Sequence, residues 1–418
     1  MSAQVTDVDV PAAGDTGGIG QAVRDYWARV RGGDIGSLPA VLGLIVLVLL
    51  FGALEGSTFL SIFNFANLIN QSAAIIVLAM GLVFVLLLGE IDLSAGFAAG
   101  TCAAVLAVAL NSWGFAWPVA LLAALLTGAA IGLVIGILVA RLGIPSFVVT
   151  LAMFLALQGA MLLIIGEGGT IPIRSDQILV VMNGNMSVVA GWVLAVIIVG
   201  GFALTTFLAI RRRRKAGLAA EAMSVWAIKV VALGVLIFVA TYLLNQERQL
   251  PSAKIVIQGV PWVVVVILVL LVGLTFILQR TGFGRHVYAV GGNREAARRA
   301  GINVKGLMIT CFIFCSTLAA VAGILLASRD NSVSPTTGGA QTLLFAVGAA
   351  VIGGTSLFGG RGKIRDAVIG GLVIAVIANG LPLITQQSGI QFIVTGLVLL
   401  VAASVDAISR RRAAASGS

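Results

Sequence analysis

Twelve apolar stretches, separated by short polar ones, decide what this chain can fold into. They lie at 38–54, 68–88, 93–110, 117–140, 146–165, 188–210, 225–244, 262–278, 307–327, 342–358, 367–384 and 390–408. Each approaches the roughly 20 residues that a helix needs to cross a hydrocarbon core. A helix satisfies its backbone polar groups internally, which lipid demands. The sequence therefore predicts an all-α polytopic membrane protein with 10–12 transmembrane helices. Segments 38–54, 262–278 and 342–358 are short, and glycines interrupt the last, a pattern shared with half-helices beside a transport cavity. Composition agrees. The chain is 10% charged with a mean hydropathy of +1.11, whereas soluble domains carry roughly 25% charged residues.

Basic residues fix the orientation. With the N-terminus inside, 21 Lys and Arg fall in cytoplasmic segments and only Arg174, Arg248, Lys254 and Arg329 outside, while Lys229 lies within a span. Such asymmetry follows the positive-inside rule, so both termini are expected in the cytoplasm. The net charge of +10 thus reflects topology and not nucleic-acid binding. The expected organisation is a cytoplasmic tail at 1–37, a transmembrane domain at 38–408 and a cytoplasmic tail at 409–418. Residues 1–20 have a disorder-type composition, and Gln21 to Arg31 suit either a basic surface helix or a solvated tail. No cleavable leader is expected, because 1–37 is polar and the first apolar run is long.

Several features have plain structural readings. Cys102, Cys311 and Cys315 fall in apolar segments, and no neighbouring His or Cys completes a metal set. Gly128, Gly132 and Gly136 spell GxxxGxxxG, a smooth stripe for close helix approach within one subunit or between two. The Arg211–Lys215 run ends an apolar span and reads as a stop-transfer flank.

The longest polar interruption between strongly apolar segments runs from Arg280 to Lys305, with six basic residues and one acid. Within it, Glu295-Ala296-Ala297 and Gly301 form EAAxxxG. Alanines at 296, 297 and 300 favour helix, and Gly301 suits the left-handed residue that stops one. A polar knob of this kind is suited to docking into a cytosolic partner.

Two further motifs bear on transport. In Gly89-Glu90-Ile91-Asp92-Leu93-Ser94-Ala95-Gly96, two carboxylates lie between nearly contiguous apolar segments, where burying a charge costs roughly 2.5–3.5 kcal/mol or more. They suit polar solute contact, a proton relay or, for Asp92, an N-cap on a helix starting at Leu93. Glu90 fits a cap less well. Residues 351–363, VIGGTSLFGGRGK, superficially resemble a phosphate loop, but Lys363 precedes Ile364 and no GxxxxGK[ST] aligns. Thr355 and Ser356 are instead candidate hydrogen-bonding groups at a broken helix. Amides at Asn64, Asn67, Asn70, Gln71, Gln158, Asn379, Gln386 and Gln387 suit a neutral, hydroxyl-rich solute or helix–helix contact equally. Phe97 and Phe154 suit ring stacking or core packing. His286 is the only histidine and lies in the polar loop, and no catalytic constellation or metal site emerges.

GEIDLSAG at 89–96, GRHVYAVGGNREAARRAGI at 284–302 and VIGGTSLFGGRGKI at 351–364 together resemble the membrane subunits of bacterial sugar ATP-binding-cassette importers. The similarity covers about residues 38–408 and is closest to the ribose and xylose permeases. Glu90 and the additional apolar pair around Arg211–Tyr242 favour the xylose type. The resemblance implies import of a monosaccharide, such as the pentose xylose, across the inner membrane by alternating access. It implies a partner ABC ATPase, a periplasmic sugar-binding protein and a second permease copy within membrane lipid. ATP and magnesium would belong to the ATPase, leaving this chain without a cofactor and without enzymatic activity. ATPase docking maps to Gly284, Arg285, Asn293, Glu295, Ala296, Ala297 and Gly301. The pathway candidates are Glu90, Asp92, Ser94, Thr355, Ser356 and Asn379. The alternatives are an ABC permease for another small solute, an ion-coupled secondary transporter using Glu90 and Asp92, and a membrane scaffold.

Overall fold

The computed structural model describes residues 37–218, 220–249 and 256–415. The tail expected before Ser37, with its candidate surface helix at 21–31, lies outside the described residues. The first helices are α1 (Leu38–Leu54), the single-turn α2 (Gly56–Phe59), α3 (Ile62–Leu87), α4 (Ala95–Asn111), α5 (Trp117–Ala140) and α6 (Ser146–Ile165). Strand β1 (Ile171–Pro172) and helix α7 (Asp176–Asn183) come next, then α8 (Val188–Lys215) and α9 (Met223–Leu244). After strands β2 (Arg248–Gln249) and β3 (Val256–Ile257) come α10 (Val263–Arg280), α11 (Gly282–Gly292), α12 (Arg294–Arg299) and α13 (Val304–Asp330). Strand β4 (Ser332–Val333), α14 (Gly339–Gly353), α15 (Ile364–Ile384) and α16 (Ser388–Ala415) complete the chain.

Every predicted apolar segment contains a helix, although the one expected at 342–358 is helical only as far as Gly353. Among the described residues, eight are long and apolar enough to cross a membrane, while α1, α4, α14 and the apolar part of α16 are shorter. α3 starts at Ile62, earlier than its apolar run suggests, because the Ser61 hydroxyl caps the amide of Asn64. Its first turns carry amides on the interior side. The backbone of α16 stays helical through Ala415, so the helix runs on into the expected 409–418 tail.

α3 and α13 form the core of the bundle. α5 lies along α13, and the glycine stripe is the reason. A Cβ on Gly132 would sit 2.7 Å from the Ile313 Cα, and one on Gly136 would sit 2.8 Å from the Ile309 Cα. The stripe therefore serves close packing within one chain. α15 packs on α3 and α14, and Asp366 in its first turn accepts a 2.7 Å hydrogen bond from the Lys363 amide. Cys102, Cys311 and Cys315 are buried in this core.

α8 and α9 pair mainly with each other at the periphery. The Trp226 indole donates to the Thr206 hydroxyl at 3.0 Å, and Trp192 stacks on Phe238. Val189, Val193, Ile197, Val231, Val235 and Leu236 point outward from the pair. So many adjoining exposed apolar side chains fit a hydrocarbon surround, not water.

Polar structure gathers at the two ends of the bundle. At one end, β1 pairs with β4, and Ser328 donates to the carbonyl of Ile178 at 2.7 Å, fixing α7 on α13. The other end carries α11, α12 and the loops at 88–90 and 354–363.

Candidate functional site

The polar loop folds into two helices where the EAAxxxG pattern indicated one. α11 begins under a Thr281 cap, its hydroxyl accepting from the Gly284 amide at 3.3 Å. Gly284 is buried against the end of α10, whereas Arg285 is exposed. Asn293 separates the helices and caps α12, its side chain accepting from the Ala296 amide at 2.9 Å. Only Ala297 in α12 turns inward. Glu295, Ala296, Arg298 and Arg299 face out, and Gly301 takes the left-handed conformation at φ +84° that ends the turn. Glu295 accepts from Arg298 at 2.6 Å. The Arg298 hydrogen bonds hold its carboxyl below the ordinary carboxylate range.

Contacts along α11 and at the start of α12 fasten this knob to the bundle. Tyr288 donates to the carbonyl of Gly362 at 2.7 Å. Burial, reinforced by the charge of Asp366, pushes its phenol above the ordinary value and keeps it a donor. Gly291 lies against the Leu87 carbonyl and the Gly360 amide so closely that no side chain would fit. Arg294 forms an ion pair with Glu90. Glu90 thus lies against the knob, with most of its side chain buried. No pattern in the sequence links these two residues across 204 positions.

From Glu90 the backbone turns back into the bundle without helical structure. The Ile91 amide donates to the Ser146 hydroxyl at 3.3 Å, and its carbonyl accepts from Thr150 at 3.2 Å. Asp92 and Ser94 are wholly buried. The Asp92 carboxyl faces Cys315, near the middle of the 27-residue α13. The sequence suggested that Asp92 caps a helix starting at Leu93; the helix begins at Ala95 instead. One Asp92 oxygen accepts from the Ser94 amide at 2.9 Å and from its hydroxyl at 2.6 Å, closing a tight turn before α4. A carboxylate reaches the amide two residues on more readily than those deeper in the helix. The other oxygen has no hydrogen-bond partner among the described residues.

α4 and α14 are about 25 Å and 22 Å long, less than the roughly 30 Å of a hydrocarbon core. Their N-termini meet inside the bundle. A Cβ on Gly96 would run into the Gly339 carbonyl, and one on Gly338 into the carbonyl of Gly96. From this meeting point α4 leads to Asn111, which bonds Pro172 at one end, and α14 leads to the knob at the other. Half-helix N-termini present partial positive charge, which favours a buried carboxylate such as Asp92.

The remaining candidates lie elsewhere. Thr355 and Ser356 are buried where the chain leaves α14. Ser356 accepts from the Phe358 amide at 3.2 Å, and the Thr355 hydroxyl has no hydrogen-bond partner among the described residues. Asn379 is near the opposite end, bonded to Asn64 and Gln71. Phe97 and Phe154 pack edge to face, with ring centroids 4.6 Å apart. The structure therefore brings Asp92 and Ser94 together and distributes the other pathway candidates along the bundle.

A helical bundle with apolar flanks, two half-helices meeting at its centre and a polar knob at one end is a multi-pass membrane protein of the transport class. The chain belongs to the family described as branched-chain amino acid transport system / permease component, which it matches over residues 64–403. It is similar to the Xylose transport system permease protein XylH of Haemophilus influenzae, at 36% identity over 89% of this chain and 96% of that protein. The Escherichia coli protein of the same name is 34% identical over 89% of this chain and 92% of its own length. The Fructose import permease protein FrcC of Rhizobium meliloti is 30% identical over 90% of this chain and 88% of its own. No solved structure matches. The chain is accordingly a permease, a transport protein and not an enzyme.

Proposed function

We propose that this chain is the membrane-spanning subunit of an ATP-driven importer that carries a monosaccharide, in the first place a pentose such as xylose, across the bacterial inner membrane. The observation that carries the reading is the outward-facing helix α12, with Glu295 and Ala296 exposed on a knob that is fastened to the bundle. Similarity to xylose permeases over 89% of the chain supports the substrate class. The knob marks the cytoplasmic end, where the basic residues cluster, and both chain termini belong on that side. Ten to twelve segments cross fully, depending on whether α4 and α14 are counted as broken spans.

In this reading a cytosolic ABC ATPase, which holds ATP and magnesium, receives α12. A periplasmic sugar-binding protein meets the opposite end, and two copies of the permease share the membrane. Alternating access follows if movement of α12 changes the contact between the N-termini of α4 and α14. Asp92 is the residue best placed to meet sugar hydroxyls, since one carboxylate oxygen is unused at that junction. Thr355 and Ser356 line the exit side. Asn379 serves helix contact, its amide being committed to Asn64 and Gln71. Ion-coupled transport through Glu90 is disfavoured by its ion pair with Arg294.

The test is uptake of labelled xylose into proteoliposomes, with and without the cognate ATPase, binding protein and ATP. Uptake that requires all three and disappears with Glu295→Arg is the expected result. Uptake by this chain alone under a pH gradient would refute the proposal.

A further inference from the structure

We propose that the Arg294–Glu90 ion pair is the coupling link through which movement of α12 reaches the half-helix α4. The inference rests on the importer reading above. Arg294 is the first residue of α12, and its side chain reaches back to Glu90 on the bundle. Its side chain is 49% exposed, whereas that of Glu90 is 12% exposed. An ion pair half open to solvent adds little to stability. Removing the arginine, however, leaves a mostly buried carboxylate without its counter-charge. The pair therefore fixes the position of α12 relative to the segment at Glu90.

The backbone beyond Glu90 has little slack. Gly89, at φ +73°, is pressed against the Phe358 carbonyl, and both backbone groups of Ile91 are held by α6. Asp92 and Ser94 close the turn from which α4 starts. A displacement of Arg294 thus travels through about six residues of constrained backbone to the point where Gly96 meets Gly339. The same knob also grips the end of α14, because Tyr288 holds Gly362 and Gly291 abuts Gly360. The knob thus touches both the segment that leads into α4 and the loop that leaves α14. These are the two half-helices whose N-termini close the centre of the bundle. Among the described residues, Arg294–Glu90 is the attachment that joins two charged side chains, so substitution uncouples it without altering backbone packing.

The experiment measures xylose imported per ATP hydrolysed in proteoliposomes holding the permease, its ATPase and the binding protein. Glu90→Gln and Arg294→Gln are each expected to retain ATPase assembly and hydrolysis, yet to lower the ratio about five- to tenfold, within the range of coupling between linked sites. The exchange Glu90→Arg with Arg294→Glu is expected to restore the ratio to within about threefold of wild type, since it rebuilds the attraction with the charges reversed. Should Arg294→Gln fail to assemble because it leaves the Glu90 carboxylate unpaired, Glu90→Gln, which removes the buried charge itself, decides the matter alone. Uptake and hydrolysis that fall in proportion, or a ratio unchanged in the single variants, would overturn the link. A wild-type complex that imports no xylose with ATP would overturn the importer reading itself, which separates the two failures.

Discussion

Asn64 and Asn379, 315 residues apart in the chain, bind each other reciprocally inside the bundle. The Asn64 amide nitrogen donates to the Asn379 side-chain oxygen at 2.8 Å, and the Asn379 nitrogen returns a 2.9 Å bond. The pair ties α3 to α15, with further bonds to the Phe59 carbonyl and the Gln71 side chain. Replacing Asn379 with Leu would leave the Asn64 side-chain oxygen without its donor while the bond to Phe59 remains, at an expected cost of about 1–2 kcal/mol. The double replacement Asn64→Leu with Asn379→Leu should be less damaging than the two single costs combined. Thermal unfolding in detergent across this double-mutant cycle checks the expectation. Strict additivity would show that the pair contributes nothing.

Gly132 governs another helix contact. Its α-carbon approaches the backbone of Phe312 and Ile313 so closely that a side chain has nowhere to go. Gly132→Val should force α5 away from α13 and destabilise the protein by about 1–3 kcal/mol, the usual range for overpacking. Gly273 in α10 has nothing within 4 Å of an added Cβ. Gly273→Ala should therefore be neutral or slightly stabilising, because alanine is the better helix former. Comparing the melting midpoints of the two variants tests packing against glycine content as such.

The helices and the EAAxxxG turn were legible in the sequence because local physics sets both. An apolar run of about 20 residues has one stable form in lipid, and Gly301 after an alanine-rich turn predicts its own φ. The partners of Glu90, Asn379 and Gly96 were not legible. Each lies more than 200 residues away, and a single buried amide or carboxylate looks the same whether it meets a solute or another helix. The re-entrant turn at Asp92 was half visible. Its burial followed from the flanking apolar segments, but the two-residue offset of α4 depended on whether Asp92 bonded Ser94 or the helix beyond.

Ser94 supplies two hydrogen bonds to the Asp92 side chain, one from its amide and one from its hydroxyl. Ser94→Ala removes the hydroxyl and leaves the amide. A typical intramolecular hydrogen bond contributes about 0.5–1.5 kcal/mol, so this variant should lose stability on that scale. Asp92→Asn keeps an acceptor for both donors and should unfold closer to wild type. If the free carboxylate oxygen meets sugar, Asp92→Asn should nonetheless reduce xylose uptake. Equal loss of stability in both variants would indicate that Asp92 acts only in the turn.

Glu295 offers a prediction with a defined sign. Its carboxyl is held below the ordinary range by hydrogen bonds from Arg298, with Arg299 also contributing. A group whose folded value is depressed stabilises the native state above the unfolded value and loses that contribution as pH falls through the folded one. The Glu295 pairing should therefore be fully present from about pH 8 down to about pH 5, above the ordinary carboxylate value near 4.3, and should weaken only in more acidic solution. Carbon-13 chemical shifts of a labelled Glu295 carboxyl would give the midpoint directly. In Arg298→Ala the midpoint should rise toward the ordinary value, and a midpoint indifferent to that substitution would refute the assignment. ATPase docking through α12 should accordingly show no Glu295-dependent change between about pH 6 and 8.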